Sequence, residues 1–221
     1  ADQITTGAGT LGPRENDVAP IMNRLSNEIR LLAAVVRCFI QAGTSQNSPR
    51  ESRATFVASH RNALVSLLHK SWPCLTHIGN KYCSYEAIAM SIGQLLTESL
   101  SLYGSEEELP LLLEITGLAK TSLSVVARAK NPLSLAPLLS FMQKFVYLHG
   151  SKIEPSPRNN AVNQPIQVMA KNLMLISYEA VRSCKTSHEN DVSQGIASPM
   201  FDTLSSCAKK CPIFLLSLSR D

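Results

Sequence analysis

Residues 61–104 set the fold class of the chain, and they read RNALVSLLHKSWPCLTHIGNKYCSYEAIAMSIGQLLTESLSLYG. The first half is a long segment with apolar residues at helical spacing and with Trp72 and Pro73 in its middle. A proline inside a helix removes a backbone hydrogen bond, so we expect a kink near Lys70. The second half has a more regular amphipathic spacing, which predicts a helix that ends at Gly104. Together the two halves predict a helical hairpin with an apolar face on each arm.

Helical spacing continues on both sides of this hairpin, and short turns are predicted near Gly104 and Asn131. Short turns make neighbouring helices antiparallel. Aromatic residues make up only 5% of the chain and no period-two alternation is present, which argues against an all-β fold. Hairpins follow one another at about 45–60 residues, and the lower end fits HEAT-type units of about 40–47 residues. The sequence therefore predicts an all-α fold, an α-solenoid of HEAT-like antiparallel helix pairs, with a compact helical bundle as the alternative.

Polar stretches divide the chain. Residues 1–17 are polar and Gly-rich and predict a flexible N-terminal arm. Residues 18–221 then predict a HEAT-repeat segment. Three polar linkers are expected within it, near residues 43–53, 151–164 and 184–195. Because the chain begins without Met and stops on an apolar tail at 213–218, we expect it to be a segment of a longer solenoid.

Charge and cysteine content limit the function classes. The net charge of +4 is too weak to indicate direct nucleic-acid binding. No apolar run reaches the roughly 18 residues that a membrane span needs, so no membrane insertion is expected. The six cysteines lie in apolar helical patterns, where free cysteine behaves as a small hydrophobic residue. This usage indicates a reducing compartment.

No catalytic motif is present: the chain lacks a Gly-rich phosphate loop, a nucleophile elbow and a paired-carboxylate pattern. We therefore expect neither an enzyme nor a cofactor. Two groups of residues are candidate metal sites: His69/Cys74/His77/Cys83 around the Trp-Pro pair, and the i,i+4 pairs Cys184/His188 and Cys207/Cys211. Neither forms a compact Cys-x-x-Cys site, so both are interpreted as helix-packing residues and no metal is predicted. Stacked helical hairpins instead favour binding of other macromolecules over a long surface.

Several stretches carry a family resemblance in their order and spacing: residues 31–39 (LLAAVVRCF), 71–82 (SWPCLTHIGNKY), 85–104, 139–150 (LSFMQKFVYLHG) and 201–216 (FDTLSSCAKKCPIFLL). In this order the chain resembles the importin-beta superfamily of nuclear transport receptors (karyopherins), in the branch of transportin-SR and its importin relatives. The resemblance covers nearly all of this chain after the N-terminal arm. It corresponds to only a minority of a complete receptor, located in the C-terminal half of that receptor. It implies a shuttling receptor, in nucleus and cytoplasm, that binds protein cargo for Ran-dependent passage through nuclear pores. Ran GTPase and nucleoporins would bind through the full-length receptor.

The resemblance also indicates a candidate surface. In transportin-SR the helix matching residues 85–104 is lined with arginines that bind phosphorylated Arg-Ser cargo. This chain has no Lys or Arg in that helix, and Ser, Thr or Gln cannot supply a guanidinium fork for phosphate. Arg-Ser recognition is therefore not carried over. The candidate residues facing a different cargo, or none, are Ser91, Gln94, Thr97, Glu98 and Ser101.

Two other function classes remain open from the sequence. The first is a HEAT-repeat scaffold or adaptor protein outside nuclear transport, which would use the same stacked helices without Ran. The second is an all-α enzyme or metal-binding domain that would use the Cys and His groups around Pro73 and near the C-terminus. Preference for Ran-GTP separates the first class from a transport receptor, and stoichiometric zinc would support the second.

Overall fold

A computed structural model describes residues 15–44, 50–102, 109–128, 132–154, 160–183 and 187–218. The α-helices in these ranges are α1 (Glu15–Thr44), α2 (Arg50–Tyr82), α3 (Glu86–Ser99), α4 (Leu109–Val126), α5 (Ala136–Ile153), α6 (Asn160–Ser183), α7 (Ser187–Lys210) and α8 (Pro212–Leu218). Short 3₁₀ turns follow α3 at Leu100–Leu102 and precede α5 at Pro132–Leu135. No strand occurs within the described ranges, so the predicted all-α class is confirmed.

The helices extend further into the polar stretches than predicted. Helix α1 begins at Glu15 and continues to Thr44, and α7 already begins at Ser187, inside the expected linker at 184–195. The expected linkers at 43–53 and 151–164 are likewise shortened, while residues 1–14 of the predicted arm lie outside the described residues. The physical reason is that Glu, Gln, Asn and Ser lower the hydropathy of a segment without preventing helix formation on a solvent-facing side.

Helices α1, α3, α5 and α7 form one row, here named the odd row, in which each helix packs against the next. Ser26 of α1 contacts Ser91 of α3, and Arg37 of α1 contacts Glu98 of α3. The residue numbers rise together along the two helices, so α1 and α3 run in the same direction. The Thr203 hydroxyl of α7 donates to a backbone carbonyl of α5 at 3.2 Å, which links the last pair of the row.

Helices α2, α4 and α6 form a second row, the even row, again with each helix packed against the next. His69 Nδ1 of α2 lies 2.8 Å from Glu114 Oε1 of α4, and Gly79 of α2 lies close to Leu118 of α4. These contacts make α2 and α4 parallel as well. Consecutive helices contact each other across the two rows, as α2 with α3 and α6 with α7. The described helices thus form two facing rows with the core between them.

Helix α3 is the most enclosed element of the odd row. Eight of its 14 residues are buried, namely Ile88, Ala89, Ser91, Ile92, Gly93, Leu95, Leu96 and Ser99. Leu68 and Trp72 from α2 and Phe141 and Phe145 from α5 are buried in the same core. Each such Leu, Ile or Phe contributes about 1.5–3 kcal/mol when it is fully removed from water. The apolar face predicted for residues 61–104 is therefore the centre of the core.

Helix α8 is attached to α5 by an acidic side chain that is distant in sequence. The carboxylate of Glu154, just after α5, accepts hydrogen bonds from the backbone N–H groups of Ile213 and Phe214, both at 3.1 Å. These N–H groups belong to the first turn of α8, where amides have no partner within the helix and a negative charge is favourable. Phe214 is buried and completes the core at this end.

Gly93 brings α3 and α5 into close contact. A Cβ atom at this position would lie 2.3 Å from Pro137 Cβ and 3.1 Å from the Pro137 backbone. Such distances are well inside van der Waals contact, and the pyrrolidine ring of Pro137 cannot rotate away. Residue 93 must therefore lack a side chain for α3 and α5 to pack as they do.

We predict that Gly93→Ala lowers the free energy of unfolding by about 1–3 kcal/mol, because the added methyl group overpacks the α3–α5 contact. Urea denaturation followed by circular dichroism measures this change. The matched control is Gly117→Ala in α4, where a Cβ would meet no atom within 4 Å.

Both changes replace glycine by alanine within a helix, so both gain the same helix propensity of up to about 1 kcal/mol. We expect Gly117→Ala to be neutral or stabilising. Equal stability of the two variants would show that the α3–α5 contact does not constrain residue 93.

Candidate binding groove

Helices α1, α3 and α5 enclose a groove of about 520 Å³ on the odd row. Helix α1 contributes Ser26 and Arg30, and α5 contributes Pro137 and Ser140. Helix α3 contributes the rest of the lining, including four of the five candidate residues: Ser91, Gln94, Thr97 and Glu98. The groove volume lies within the roughly 300–1,000 Å³ that is typical of ligand sites.

The fifth candidate residue, Ser101, lies outside the groove. It follows α3 in the 3₁₀ turn Leu100–Leu102 and is exposed to solvent. The spacing that places Ser101 on the same face as Ser91 assumes that the α-helix continues, whereas α3 ends at Ser99. The tighter turn of a 3₁₀ helix changes the direction of the side chain.

Ser91 lies on the floor of the groove and is only 1% exposed. Its hydroxyl donates to the Ala87 carbonyl at 2.7 Å, and the Ser26 hydroxyl donates to the same carbonyl at 3.0 Å. The Ser26 and Ser91 hydroxyl oxygens are also 2.7 Å apart. The two hydroxyl protons are therefore shared among three hydrogen-bonding contacts. Contrary to its predicted cargo-facing role, Ser91 joins α3 to α1, because α1 packs over this part of the polar face.

Thr97 and Glu98 also form hydrogen bonds inside the protein. The Thr97 hydroxyl donates to the Gly93 carbonyl of its own helix at 2.7 Å. Arg37 Nε of α1 donates to Glu98 Oε1 at 2.9 Å, and the Glu98 side chain is only 18% exposed. This ion pair is partly buried, and it fixes the position of α1 along α3.

Lys144 of α5 lies in the electrostatic field of this ion pair. Burial lowers the pKa of Lys144, the Glu98 carboxylate acts to raise it, and the Arg37 guanidinium lowers it again. Of the residues that line the groove, Arg30 is a cation and Glu98 carries a carboxylate, while Arg37 and Lys144 lie close to Glu98 from α1 and α5. Because Arg37 already pairs with Glu98, Arg30 is the cation of the groove lining whose charge has no ion-pair partner in the described residues.

Arg30 and Gln94 differ from the other polar groups of the groove. Within the part of the chain that the structure describes, neither side chain has a hydrogen-bond or ion-pair partner. Arg30 is exposed and Gln94 is half-buried. They are the groups of the groove whose hydrogen-bonding capacity remains available to a ligand.

Sequence reasoning found Gln94 but missed Arg30, Met90, Pro137 and Ser140. Arg30 and Arg37 are two helical turns apart in α1, and this spacing on one helix face is readable from the sequence. Which face of α1 meets α3 is decided by packing between residues more than 60 positions apart. No local sequence pattern predicts which faces of α1 and α3 pack together.

In the residues that the structure describes, no group of three or more His, Cys, Asp or Glu side chains could hold a metal ion. His69 contacts Glu114, and Cys74 and His77 are exposed. Burial raises the pKa of the Cys83 thiol, while the Ser122 hydroxyl lowers it.

Cys207 and Cys211 are both buried and hydrogen bond to each other. This bond lowers the pKa of Cys207 and raises that of Cys211. Cys184 lies outside the described residues, as does the side chain of His188. The i,i+4 spacing of Cys207 and Cys211 thus brings two thiols together at the end of α7.

No family model, curated protein or solved structure matches this chain. In the described residues, none of the helices has the length and apolar character needed to cross a membrane. The features of the chain that bear on its function are therefore the packing of the helices and the groove between α1, α3 and α5.

We predict that Ser91→Ala lowers the free energy of unfolding by about 0.5–1.5 kcal/mol, because the buried Ser26 hydroxyl loses a hydrogen-bond neighbour. Ser101→Ala should change stability by less than about 0.5 kcal/mol, since Ser101 is exposed. Urea denaturation of the two variants measures the difference. An equal effect of the two substitutions would contradict the buried position of Ser91.

We predict that Glu98→Gln lowers the pKa of Lys144 further, because it removes the carboxylate that favours the charged amine. NMR titration of lysine amines labelled with ¹³C-methyl groups measures this pKa. The matched control is Glu114→Gln, which alters a carboxylate of the even row bonded to His69. A Lys144 pKa that is unchanged or raised by Glu98→Gln would contradict the electrostatic coupling.

The lowered pKa of Lys144 in the folded chain also makes the stability of the protein depend on pH. Between the lowered pKa of Lys144 and its ordinary value of 10.5, the unfolded chain binds more protons than the folded one. The contribution of Lys144 to stability therefore rises with pH in this window and is lost as pH falls through the folded pKa. Glu98→Gln should extend this window to lower pH.

Proposed function

We propose that this chain is a segment of a nuclear transport receptor of the importin-beta superfamily, similar to the transportin-SR branch. In this proposal the two rows of helices form an α-solenoid of HEAT-like antiparallel pairs. The supporting observation is that α1 and α3, and likewise α2 and α4, pack side by side in the same direction, while consecutive helices face each other across the rows. This is the contact pattern that stacked helical hairpins produce. The order of the sequence stretches from residue 31 to residue 216 supports the family.

The proposed receptor acts by binding and without catalysis. Protein cargo would bind on the odd row, where α1, α3 and α5 enclose the groove. Ran GTPase and nucleoporins would bind elsewhere on the complete receptor, which would shuttle between nucleus and cytoplasm. Because each helix pair contacts only its neighbours, small rotations between pairs add up to a change of curvature. Ran-GTP and cargo would then compete through this curvature, as a coupling free energy between two sites.

A HEAT-repeat scaffold or adaptor outside nuclear transport is the second candidate. It is favoured by the difference between this groove and the arginine-lined surface of transportin-SR. Helix α3 carries no cation, Ser91 is buried, and Glu98 is paired with Arg37. A scaffold would use the same rows of helices to hold a constant partner, with no response to Ran.

The affinity of the complete protein containing this segment for Ran tests the proposal. We expect it to bind Ran loaded with a non-hydrolysable GTP analogue at least about tenfold more tightly than Ran-GDP, a difference of about 1.4 kcal/mol. Surface plasmon resonance with both nucleotide forms measures the two affinities side by side. Cargo bound in cell extract should be released by the GTP form and retained with the GDP form.

Two results would count against a transport receptor. Absence of binding to either form of Ran would leave the scaffold as the better account. Equal affinity for the two forms would remove the nucleotide-dependent release of cargo, because a ligand with no differential affinity shifts no equilibrium.

A further inference from the structure

Arg30 and Gln94 lie at the same level of the groove, on opposite helices. Along the two helices, the Ser26–Ser91 contact precedes Arg30 and Gln94, and the Arg37–Glu98 contact follows them. These two flanking contacts fix the register of α1 against α3, so residue 30 of α1 falls opposite residue 94 of α3. A guanidinium and a carboxamide therefore line the two sides of the groove with their donors unused in the described part of the chain.

The groove also has an apolar wall beside these donors. Met90 is 53% exposed, one helical turn before Gln94, and both residues line the groove. Pro137 and Ala87 line it as well. Methionine is flexible and polarisable, and it is common at surfaces that contact apolar side chains of different shapes. The groove thus offers hydrogen-bond donors and an exposed apolar surface next to each other.

The charge around the groove favours an anion of low charge. Arg37 and Lys144 lie close to Glu98, and the Glu98 carboxylate neutralises part of their charge. Arg30 is the cation of the groove without a partner among the described residues. A single carboxylate matches one guanidinium with a carboxamide beside it, whereas a phosphate dianion would carry one more negative charge than this guanidinium balances.

We infer that this groove binds an extended acidic segment of a partner protein, in which an Asp or Glu side chain lies between Arg30 and Gln94. An apolar side chain of the same segment packs on Met90. The combination of a carboxylate and a neighbouring apolar side chain is what a peptide provides, and alternate residues of an extended chain project to the same side. The inference rests on the proposed function in treating the groove as the surface that binds cargo.

The test uses a fluorescein-labelled decapeptide, Gly-Ser-Asp-Ser-Leu-Ser-Asp-Ser-Leu-Gly, in which Asp and Leu are two residues apart and so project to the same side of an extended chain, and a second peptide with Asn in place of Asp. Fluorescence anisotropy measures the binding of both to the 221-residue chain. We expect the acidic peptide to bind saturably, and the Asn peptide to bind about tenfold more weakly because it cannot form the charge-assisted pair.

Arg30→Glu should weaken binding of the acidic peptide by about tenfold or more, and Gln94→Ala by about threefold. The matched control is Arg24→Glu, which makes the same charge change on an exposed position of α1 outside the groove lining. It should change the affinity by less than about twofold. Circular dichroism establishes folding of each variant, and Arg30→Gln replaces Arg30→Glu if the latter does not fold.

A second measurement maps the peptide directly. The same peptide with a photoreactive diazirine analogue of leucine should crosslink to the segment that includes Met90 and Gln94, as identified by mass spectrometry after digestion. Crosslinks confined to other helices would overturn the inference, whatever the affinity.

Three results of the binding assay would also overturn it. The first is no saturable binding of the acidic peptide up to about 1 mM, the weakest affinity of interest. The second is equal weakening by Arg24→Glu and Arg30→Glu, which would indicate attraction by net charge alone. The third is binding to phosphatidylserine vesicles that depends on Arg30 without binding of the peptide, which would assign the groove to a lipid surface.

The outcome is separable from that of the proposed function. Preference for Ran-GTP without peptide binding would support the receptor proposal and contradict the inference that an acidic segment binds in this groove. Peptide binding that depends on Arg30, without any Ran preference, would retain the groove and favour the scaffold.

Discussion

The contact between Gly93 and Pro137 is the constraint on which the odd row depends. Helix α3 is enclosed on several sides, and its position against α5 requires that residue 93 has no side chain. With α3 fixed, Ile88 and Leu96 enter the core between the two rows, and the polar face of the helix turns to the groove. A displacement of α3 by even one methyl group would be felt throughout a core packed at crystal-like density.

Polar contacts then determine the register between α1 and α3. The Ser26–Ser91 hydroxyl pair and the Arg37–Glu98 ion pair are separated along α1 by about three helical turns. Apolar packing alone tolerates sliding of one helix along another, because neighbouring ridges are similar. Directional hydrogen bonds at two levels remove this freedom. The groove exists between these two levels, so its shape is a consequence of the register.

Much of the candidate site could not be predicted from the sequence. The sequence predicted one surface formed by Ser91, Gln94, Thr97, Glu98 and Ser101, and all of these except Ser101 line one groove. It could not indicate that Ser91 is buried under α1 or that Glu98 is paired with Arg37, because both partners lie more than 60 residues away. The polar linkers were predicted too long for a different reason, since hydropathy measures burial and not helix formation.

The sequence by itself determined that the described chain is helical and where its apolar faces lie, although Ile21, Leu67 and Phe201 at helical spacing are exposed. Apolar residues recurring at the helical period in residues 61–104 leave a helix as the conformation that buries them on one side. Only the tertiary structure decided which polar residues are available to a partner. Arg30 and Gln94 are available and Ser91 is not, because availability depends on what the neighbouring helices cover. Periodicity is a local property of the chain, whereas a groove is formed by distant segments.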